Sequence, residues 1–541
     1  MRLVYGSLIC AFLTLAGSRL SVHFTDVTAA AGIHFIHNNG AFGKKYLPET
    51  MGSGCAFIDT DGTGWPDILL LNGKGASAFY RNNHNGTFSE STAGSGLGIP
   101  MQAMGVAVAD YDNDGRPDIY ITAMDGDRLF HNEGNGKFRD VTAASGIRNA
   151  NFGVSAAWVD YDRDGKADLF VANYIQWTPA TDVWCSLDGK NKAYCTPEDS
   201  KGAPSKLYRN LGNGKFEDVS VKAGIADAKS KSMGVVVLDF DNDGWPDLFV
   251  PNDTQPNKLY RNNHNGTFTE VGVTTGVAFG EDGAARGAMG ADAIDYDRSG
   301  RQHLLVGNYS NQMLGLYHNE GRGVFIDRAP GSVVGPASLF SLTFGAFFFD
   351  YDLDGFPDIF AANGHTEEGI ARIDPRVKFR EPPLMFRNLG GGNFEDVSTA
   401  LGNDFSKPLV ARGAAYGDFD HDGDLDILMT TNNGPAVLYR NDGGDQNRWI
   451  SIRLNGTKSN RSGLGAVVRI ESVSGKQWNM MRSGGSYASQ SDLALVFGLG
   501  SDKRITRLSI EWPSGIRQSF SDLSTNQFLF IDETKGVVGA R

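Results

Sequence analysis

The chain has 541 residues with a formal net charge of −13, and 21% of its residues are charged. The acidity is local: seven aspartate-rich loops hold 26 of the 63 acidic residues, and the 50 basic residues of the chain outnumber the 37 acidic ones that remain. With no basic run of note, this charge gives no ground for nucleic-acid binding, and beyond residue 18 no segment approaches the ~20 apolar residues of a membrane span.

Residues 1–18 have the form of a secretory leader, with Arg2 at the positive start, an apolar stretch over 8–15 and Ala16-Gly17-Ser18 as a small-residue cleavage site. Cys10 invites a lipid-anchor reading, but Ile9 before it is larger than the usual small residue. The expected location is secreted or cell-envelope, where calcium is abundant.

The fullest loop reads Asp110-Tyr111-Asp112-Asn113-Asp114-Gly115-Arg116-Pro117-Asp118. Carboxylates at positions one, three, five and nine, with glycine at six, make an oxygen cage of the kind that calcium-sized cations need. Without a cation, four carboxylates within nine residues repel one another. The expected ligands are Asp59, Asp61, Thr63 and Asp67; Asp110, Asp112, Asp114 and Asp118; Asp160, Asp162, Asp164 and Asp168; Asp239, Asp241, Asp243 and Asp247; Asp295 and Asp297; Asp350, Asp352, Asp354 and Asp358; and Asp418, Asp420, Asp422 and Asp426. The fifth loop carries Ser299 at position five and His303 at nine. We therefore expect about six strong Ca2+ sites and a seventh, degraded one at Asp295.

An EF-hand would need a glutamate at position twelve and flanking helices. Position twelve of the second loop is Ile121, inside the β-branched run Ile119-Tyr120-Ile121-Thr122, and small apolar residues precede the loop. Each loop is expected to join two antiparallel strands. A tag of an aromatic residue, then arginine or histidine, then asparagine follows each loop, as in Leu207-Tyr208-Arg209-Asn210 and Leu129-Phe130-His131-Asn132, and then a third tag centred on phenylalanine. The seventh repeat lacks the third tag, and Phe24-Thr25-Asp26-Val27-Thr28 supplies it from the other end of the chain. Repeats of about 50 residues with four short strands predict a β-propeller. Seven blades would be closed by the N-terminal strand, which removes exposed sheet edges.

Loop-to-loop spacings of 51, 50, 79, 56, 55 and 68 residues show two swollen repeats, with insertions over 174–204 and 364–383. Both fall opposite the metal loops on their hairpins, as does the lead-in segment 33–51. Variable loops on a rigid scaffold tend to carry function. The first insertion holds Trp177, Trp184 and the pair Cys185 and Cys195, which an exported protein would join as a disulfide. The second holds His365, Glu367, Glu368, Arg372, Arg376, Lys378 and Arg380; the lead-in holds His34, His37, Tyr46 and Glu49. His37, Glu49 and His365 could meet near the axis as a metal or acid–base site. Cys55 reads as a buried small side chain. No Gly-x-Ser-x-Gly, His-Glu-x-x-His or Walker motif is present.

Residues 446–541 alternate apolar and polar positions, as in Trp449-Ile450-Ser451-Ile452-Arg453-Leu454, and predict a small antiparallel β-sandwich-like domain. The expected organisation is a leader over 1–18, the propeller over 19–445 and the β domain over 446–541, an all-β chain.

The loop hairpins, with a glycine five residues upstream (Gly54, Gly105, Gly234, Gly290, Gly345, Gly413, and Ser155 in the third copy), resemble the FG-GAP/VCBS repeats of integrin-α propellers. The start, Phe24-Thr25-Asp26-Val27-Thr28 to Gly32-Ile33-His34-Phe35, is similar to that of the cartilage acidic protein family. So is the end, with Asn447-Arg448-Trp449-Ile450, Ser462-Gly463-Leu464-Gly465-Ala466 and Ile510-Glu511-Trp512-Pro513-Ser514-Gly515, which resembles its ASPIC/UnbV domain. The resemblance implies calcium binding, secretion and a propeller, and it implies no settled activity for bacterial-type members. Together the readings lead to an expected binding or adhesion scaffold, gripping an extracellular protein or glycan with the face opposite the metal loops. The alternative is an extracellular enzyme acting on polysaccharide or another exported substrate through an axial pocket at His37, Glu49 and His365. Sequence does not set the oligomeric state.

Overall fold

The computed structural model describes residues 22–541; the leader and Cys10 lie outside the described residues. Seven four-stranded antiparallel sheets run round a ring. The second is representative, with strands Ala103–Ala109, Asp118–Ala123, Arg128–Gly134 and Lys137–Asp140 in order from the axis outward. Its first strand, Ala-Met-Gly-Val-Ala-Val-Ala, is buried at every position. A strand covered on both faces needs no polar alternation, which is why these runs read as continuous apolar stretches. The innermost strand of each sheet contacts that of the next, and the seventh contacts the first.

Two devices close the ring. His23–Asp26 pairs antiparallel with Val437–Asp442, so the N-terminal strand is the fourth strand of the seventh sheet. The asparagine of each such tag also reaches back one blade. Asn132 Nδ2 donates to the Thr60 carbonyl (3.0 Å), Asn210 to Tyr111 (2.8 Å) and Asn441 to Tyr351 (2.8 Å), and Asn82 completes the circuit at Phe419 (2.8 Å). Each accepting carbonyl is position two of the preceding metal loop. A buried carbonyl is costly to leave unpaired, so the tag and the loop specify each other.

Residues 448–540 form two further four-stranded sheets. One pair departs from the all-antiparallel expectation: Arg448–Asn455 lies parallel to Gln527–Asp532. The chain passes through the second sheet between those two strands, and it returns in the same direction. Ile450, Ile452, Ile510 and Trp512 share one apolar core with Tyr111 and Trp158 of the propeller.

This C-terminal unit sits on the metal-loop face. Its segment 483–492 enters the axis and pairs with inner strands around it. Gln490 N donates to the Cys55 carbonyl (2.9 Å), Ala488 O accepts Val106 N (3.1 Å), Ala488 N donates to Ser155 Oγ (3.0 Å), and Ser486 O accepts Ala291 N (3.2 Å). The repeated upstream glycine makes the space: a Cβ on Gly54 would lie 1.7 Å from the Ala488 carbonyl oxygen. Ser155, the departure from glycine, bonds the segment through its side chain.

Candidate metal loops and the face opposite them

Each metal loop joins the first two strands of its sheet. The backbone turns into the left-handed region at position four (Asn113, φ 61°) and at the glycine of position six (Gly115, φ 95°). That turn aims backbone N–H groups at the first aspartate. Gly115 N donates to Asp110 Oδ2 at 2.6 Å, and Gly244 N and Gly355 N do the same to Asp239 and Asp350 at 2.9 and 2.8 Å. The ninth-position aspartate accepts the tag asparagine N–H, as Asp118 Oδ1 does from Asn132 (2.7 Å) and Asp168 Oδ1 from Asn210 (2.7 Å).

The remaining oxygens converge. Ligating atoms of Asp110, Asp112 and Asp114 lie within 4.8 Å of one another, as do those of Asp160, Asp162 and Asp168, and of Asp239, Asp241 and Asp247. Asp160 Oδ1, Asp352 Oδ1 and Asp418 Oδ1 are buried without a hydrogen-bond partner. Burial pushes the Asp110 carboxyl up to about 7, and burial with the neighbouring Asp164 and Asp162 charges pushes Asp160 to about 7. Orphaned, mutually repelling buried oxygens are what a hard divalent cation neutralises. In the first loop Thr63 Oγ1 spends its proton on Asp61 Oδ1 (2.7 Å).

The fifth loop is built differently. His303 takes the ninth position, and its Nδ1 accepts the Asn319 N–H at 2.9 Å, the bond an aspartate oxygen accepts elsewhere. Its Nε2 meets Asp297 Oδ1 at 2.9 Å, and His318 Nε2 meets Asp297 Oδ2 at 2.9 Å. Trp478 donates to Asp295 Oδ2 at 2.7 Å.

Two features of the loops escaped the sequence reading. In three repeats the tag arginine is the counter-ion of its own cage: Arg81 pairs with Asp61 (2.6 Å), Arg209 with Asp162 (2.7 Å) and Arg387 with Asp352 (2.6 Å). The recurrence of arginine in five of the seven tags was the available signal. Asp424, at position seven of the last loop, adds a fifth carboxylate there; burial and the Asp422 and Asp418 charges raise it to about 10.

The C-terminal unit covers these loops. Arg453 lies 3.7 Å from Asp59, Ser462 Oγ accepts Asp110 N (2.9 Å), Arg163 of the third loop donates to the Pro513 carbonyl (3.1 Å), and Asn447 donates to the Asp352 carbonyl (2.7 Å). Arg482 pairs with Asp292 at 2.8 Å, with both side chains buried. A cleft of about 450 Å³ remains against loops three and four, lined by Asp160, Asp239, Asp243, Arg469, Trp478 and Glu511 among others.

The opposite face carries the two insertions and the lead-in, tied together. Cys185 and Cys195 form a disulfide with Cα atoms 5.4 Å apart. Tyr194 beside it donates its hydroxyl to Glu49 Oε2 (3.0 Å) and its backbone N–H to Glu367 Oε2 (3.1 Å), and Lys45 pairs with Glu367 (3.2 Å). The sixth-repeat insertion divides: His365 and Glu367 are buried, while Glu368, Arg372, Arg376, Lys378 and Arg380 are exposed. Trp177 is half-buried, 5.2 Å from the Tyr46 ring with Nε1 on Asp182 (3.0 Å), whereas Trp184 is 61% exposed. Phe42, Ile36 and Ile373 are also exposed on this face, and His34 is exposed beside them.

His37, Glu49 and His365 all lie on this side, each held by its own neighbours. His37 Nε2 bonds Ser53 Oγ (2.9 Å) and its Nδ1 accepts Asn433 N (3.1 Å); His365 Nδ1 accepts Glu367 N (3.0 Å). Burial and the Arg412 charge bring both imidazoles down to about 4, so both are neutral. Arg412 is fully buried, donates to the carbonyls of Thr50 (2.7 Å) and Gly364 (2.8 Å), and stacks 4.1 Å over Phe344. A cavity of about 90 Å³ beside Cys195 is lined by Met51, Met233, Met289 and Phe344 together with Asp253 and Glu198. None of His37, Glu49 and His365 lines it. Cys55 is buried, and burial raises its thiol to about 12.

Among the described residues no helix is long and apolar enough to cross a membrane. The FG-GAP-like repeat family matches residues 59–121, 110–171, 186–250, 239–306 and 350–429, and the ASPIC and UnbV family matches residues 456–538. Cartilage acidic protein 1 of Xenopus tropicalis is 26% identical over 288 residues, covering 52% of this chain and 42% of that protein. The Mus musculus protein of the same name is 24% identical over 312 residues, covering 56% and 44%. The chain thus spans less than half the length of the curated relatives it matches. Among solved structures, an Agrocybe aegerita lectin described as recognising non-reducing terminal N-acetylglucosamine is 19% identical at a TM-score of 0.39, covering 70% of this chain and 85% of that one. BBS1N, solved in complex with ARL6DN, is 10% identical at a TM-score of 0.42, covering 77% and 96%.

Proposed function

The chain belongs to the FG-GAP-like repeat family and carries an ASPIC and UnbV domain near its C-terminus, and from that premise we propose an exported, calcium-loaded propeller that binds an extracellular protein or glycan with the face opposite its metal loops. The observation that carries the reading is the asymmetry of the two faces. One is covered by the C-terminal unit, whose segment 483–492 also fills the axis. The other presents Trp184 and Ile373 on the insertions and Ile36 and Phe42 on the lead-in, braced by a disulfide and by Tyr194. Exposed aromatics on a rigid scaffold are the usual anchors of partner recognition.

Calcium is structural in this scheme. The residues that would hold it are the loop aspartates with orphaned oxygens, foremost Asp160, Asp352 and Asp418. Bound cations would join the two strands of each hairpin and neutralise the cages under the C-terminal unit. Cations that bind only the folded state stabilise it by mass action.

The test is a glycan-array and extracellular-protein binding screen on the exported protein, followed by Trp184→Ala and Phe42→Ala. Loss of the captured partner in these variants, with melting temperature unchanged, supports the reading. Partner binding that survives both substitutions and the shortening of both insertions sinks it.

A further inference from the structure

Two of the seven tags carry histidine where five carry arginine: His131 in the second repeat and His318 in the fifth. The structure uses them in opposite ways. In the fifth loop every imidazole nitrogen is engaged. Asn319 N–H occupies the Nδ1 lone pair of His303, so the proton of that ring sits on Nε2, facing Asp297. His318 faces Asp297 with Nε2 and Glu320 Oε1 with Nδ1, both at 2.9 Å, the setting of a doubly protonated ring. The two histidines take the place of a cation, and neither keeps a lone pair for one.

In the second loop the Nδ1 of His131 is buried and makes no hydrogen bond. It lies 3.3 Å from Asp112 Oδ2 and 3.3 Å from Asp118 Oδ1, and the side chain is 12% exposed. Its other nitrogen, Nε2, is 3.8 Å from Asp114 Oδ2. Two atoms bound to one ion by bonds of about 2.1 Å stand about 3.0–3.4 Å apart at octahedral or tetrahedral angles. The ligating atoms of Asp112, Asp118 and His131 lie within 4.8 Å of one another. An arginine in this place is a fixed cation that competes with a metal, whereas an imidazole can give up its proton to an incoming ion and become its ligand.

We propose that the second loop takes a first-row divalent transition-metal ion in preference to calcium, with His131 Nδ1 as its nitrogen ligand beside the carboxylates of Asp110, Asp112 and Asp118. Carboxylates alone suit calcium, whereas imidazole suits zinc, iron and nickel. The inference rests on the reading of the loops as cation cages.

The experiment uses the full exported chain, stripped with a chelator, reloaded with excess calcium and then given one equivalent of Mn2+. Pulsed EPR is expected to show nitrogen modulation from one imidazole, and one equivalent of Zn2+ should abolish it. His131→Arg, which installs the residue of the sister repeats, should lose the modulation and keep its calcium stoichiometry in the other loops. His318→Arg should keep the modulation. Manganese bound without nitrogen modulation, or modulation that survives His131→Arg, overturns the proposal and assigns His131 the counter-ion role of its sister arginines. Absence of bound calcium and manganese alike would instead sink the cage reading beneath it.

Discussion

The hydroxyl of Tyr487 donates to the carbonyl of Met51 at 3.2 Å. Tyr487 belongs to the segment that enters from the metal-loop side, and Met51 ends the lead-in on the far side of the disc. The bond spans the ring along its axis, and the Tyr487 ring is fully buried against Phe344, with centroids 5.0 Å apart. Tyr487→Ala should therefore cost about 3–5 kcal/mol, the range for deleting a buried aromatic, and Tyr487→Phe about 1 kcal/mol for the lost hydrogen bond. Chemical denaturation in calcium measures both. Equal, negligible losses would show that the segment does not brace the ring.

The pH dependence of the calcium-free protein has a definite sign. Asp110 and Asp160 are raised to about 7 and Asp239 to about 6, chiefly by burial, against about 3.9 in an unfolded chain. Between about 4 and 7 the folded state holds protons that the unfolded state has released, so these groups lower stability as pH rises. Below pH 6.5 His37 and His365, neutral down to about 4, act in the opposite sense. Comparing unfolding with calcium and with chelator isolates the loops, because the histidines contribute to both. The stabilisation by calcium is expected to be larger at pH 7.5 than at pH 5, and a larger effect at pH 5 would contradict the assignment.

Individual loops should differ in stoichiometry. Asp350→Asn and Asp418→Asn each remove a buried carboxylate at the first position of a complete cage, and each is expected to lose one bound calcium by equilibrium dialysis. Asp297→Asn, in the loop where His303 and His318 already occupy the carboxylate, should leave the calcium count unchanged while lowering stability through the lost pairings.

Cys185 and Cys195 close a loop of sequence separation 10 on an exposed insertion. A cross-link of that span restricts the unfolded chain by about 3 kcal/mol in the loop-entropy picture, but here the effect is local. Replacing both with serine is expected to raise hydrogen exchange across 177–195 and to weaken partner binding, with the global unfolding midpoint little changed. A large global loss would mean that the insertion is part of the propeller core.

The ring was legible because its information is repeated. Asp110 and its sisters recur with the same glycine and the same following strand, and the missing third tag of the last repeat reappears at Phe24. The tag asparagines were visible as a pattern, but their bonds to the preceding blade were not, since nothing local links Asn132 to Thr60. The axial role of 483–492 was hidden for a similar reason. Ser483-Gly484-Gly485-Ser486-Tyr487-Ala488 has the composition of a polar linker, and its partners are backbone groups of inner strands hundreds of residues away. His37, Glu49 and His365 read as residues that could meet near the axis, but sequence could not show that Ser53, Tyr194 and the Glu367 backbone engage them separately.

Thr25 and Asp442 are partners in one sheet although 417 positions separate them. At about 5–20 residues per second of synthesis, the earlier strand waits on the order of 20–80 s for its mate. Through that interval the disc has a seam, with one blade short of an edge and one edge short of a blade. Two nascent chains emerging side by side can each lend its leading strand to the other, producing an interlocked pair from correctly formed parts. Synthesis of the chains well apart from one another, or a holdase at the ribosome exit, therefore bears on the yield of monomer as directly as any residue in the core.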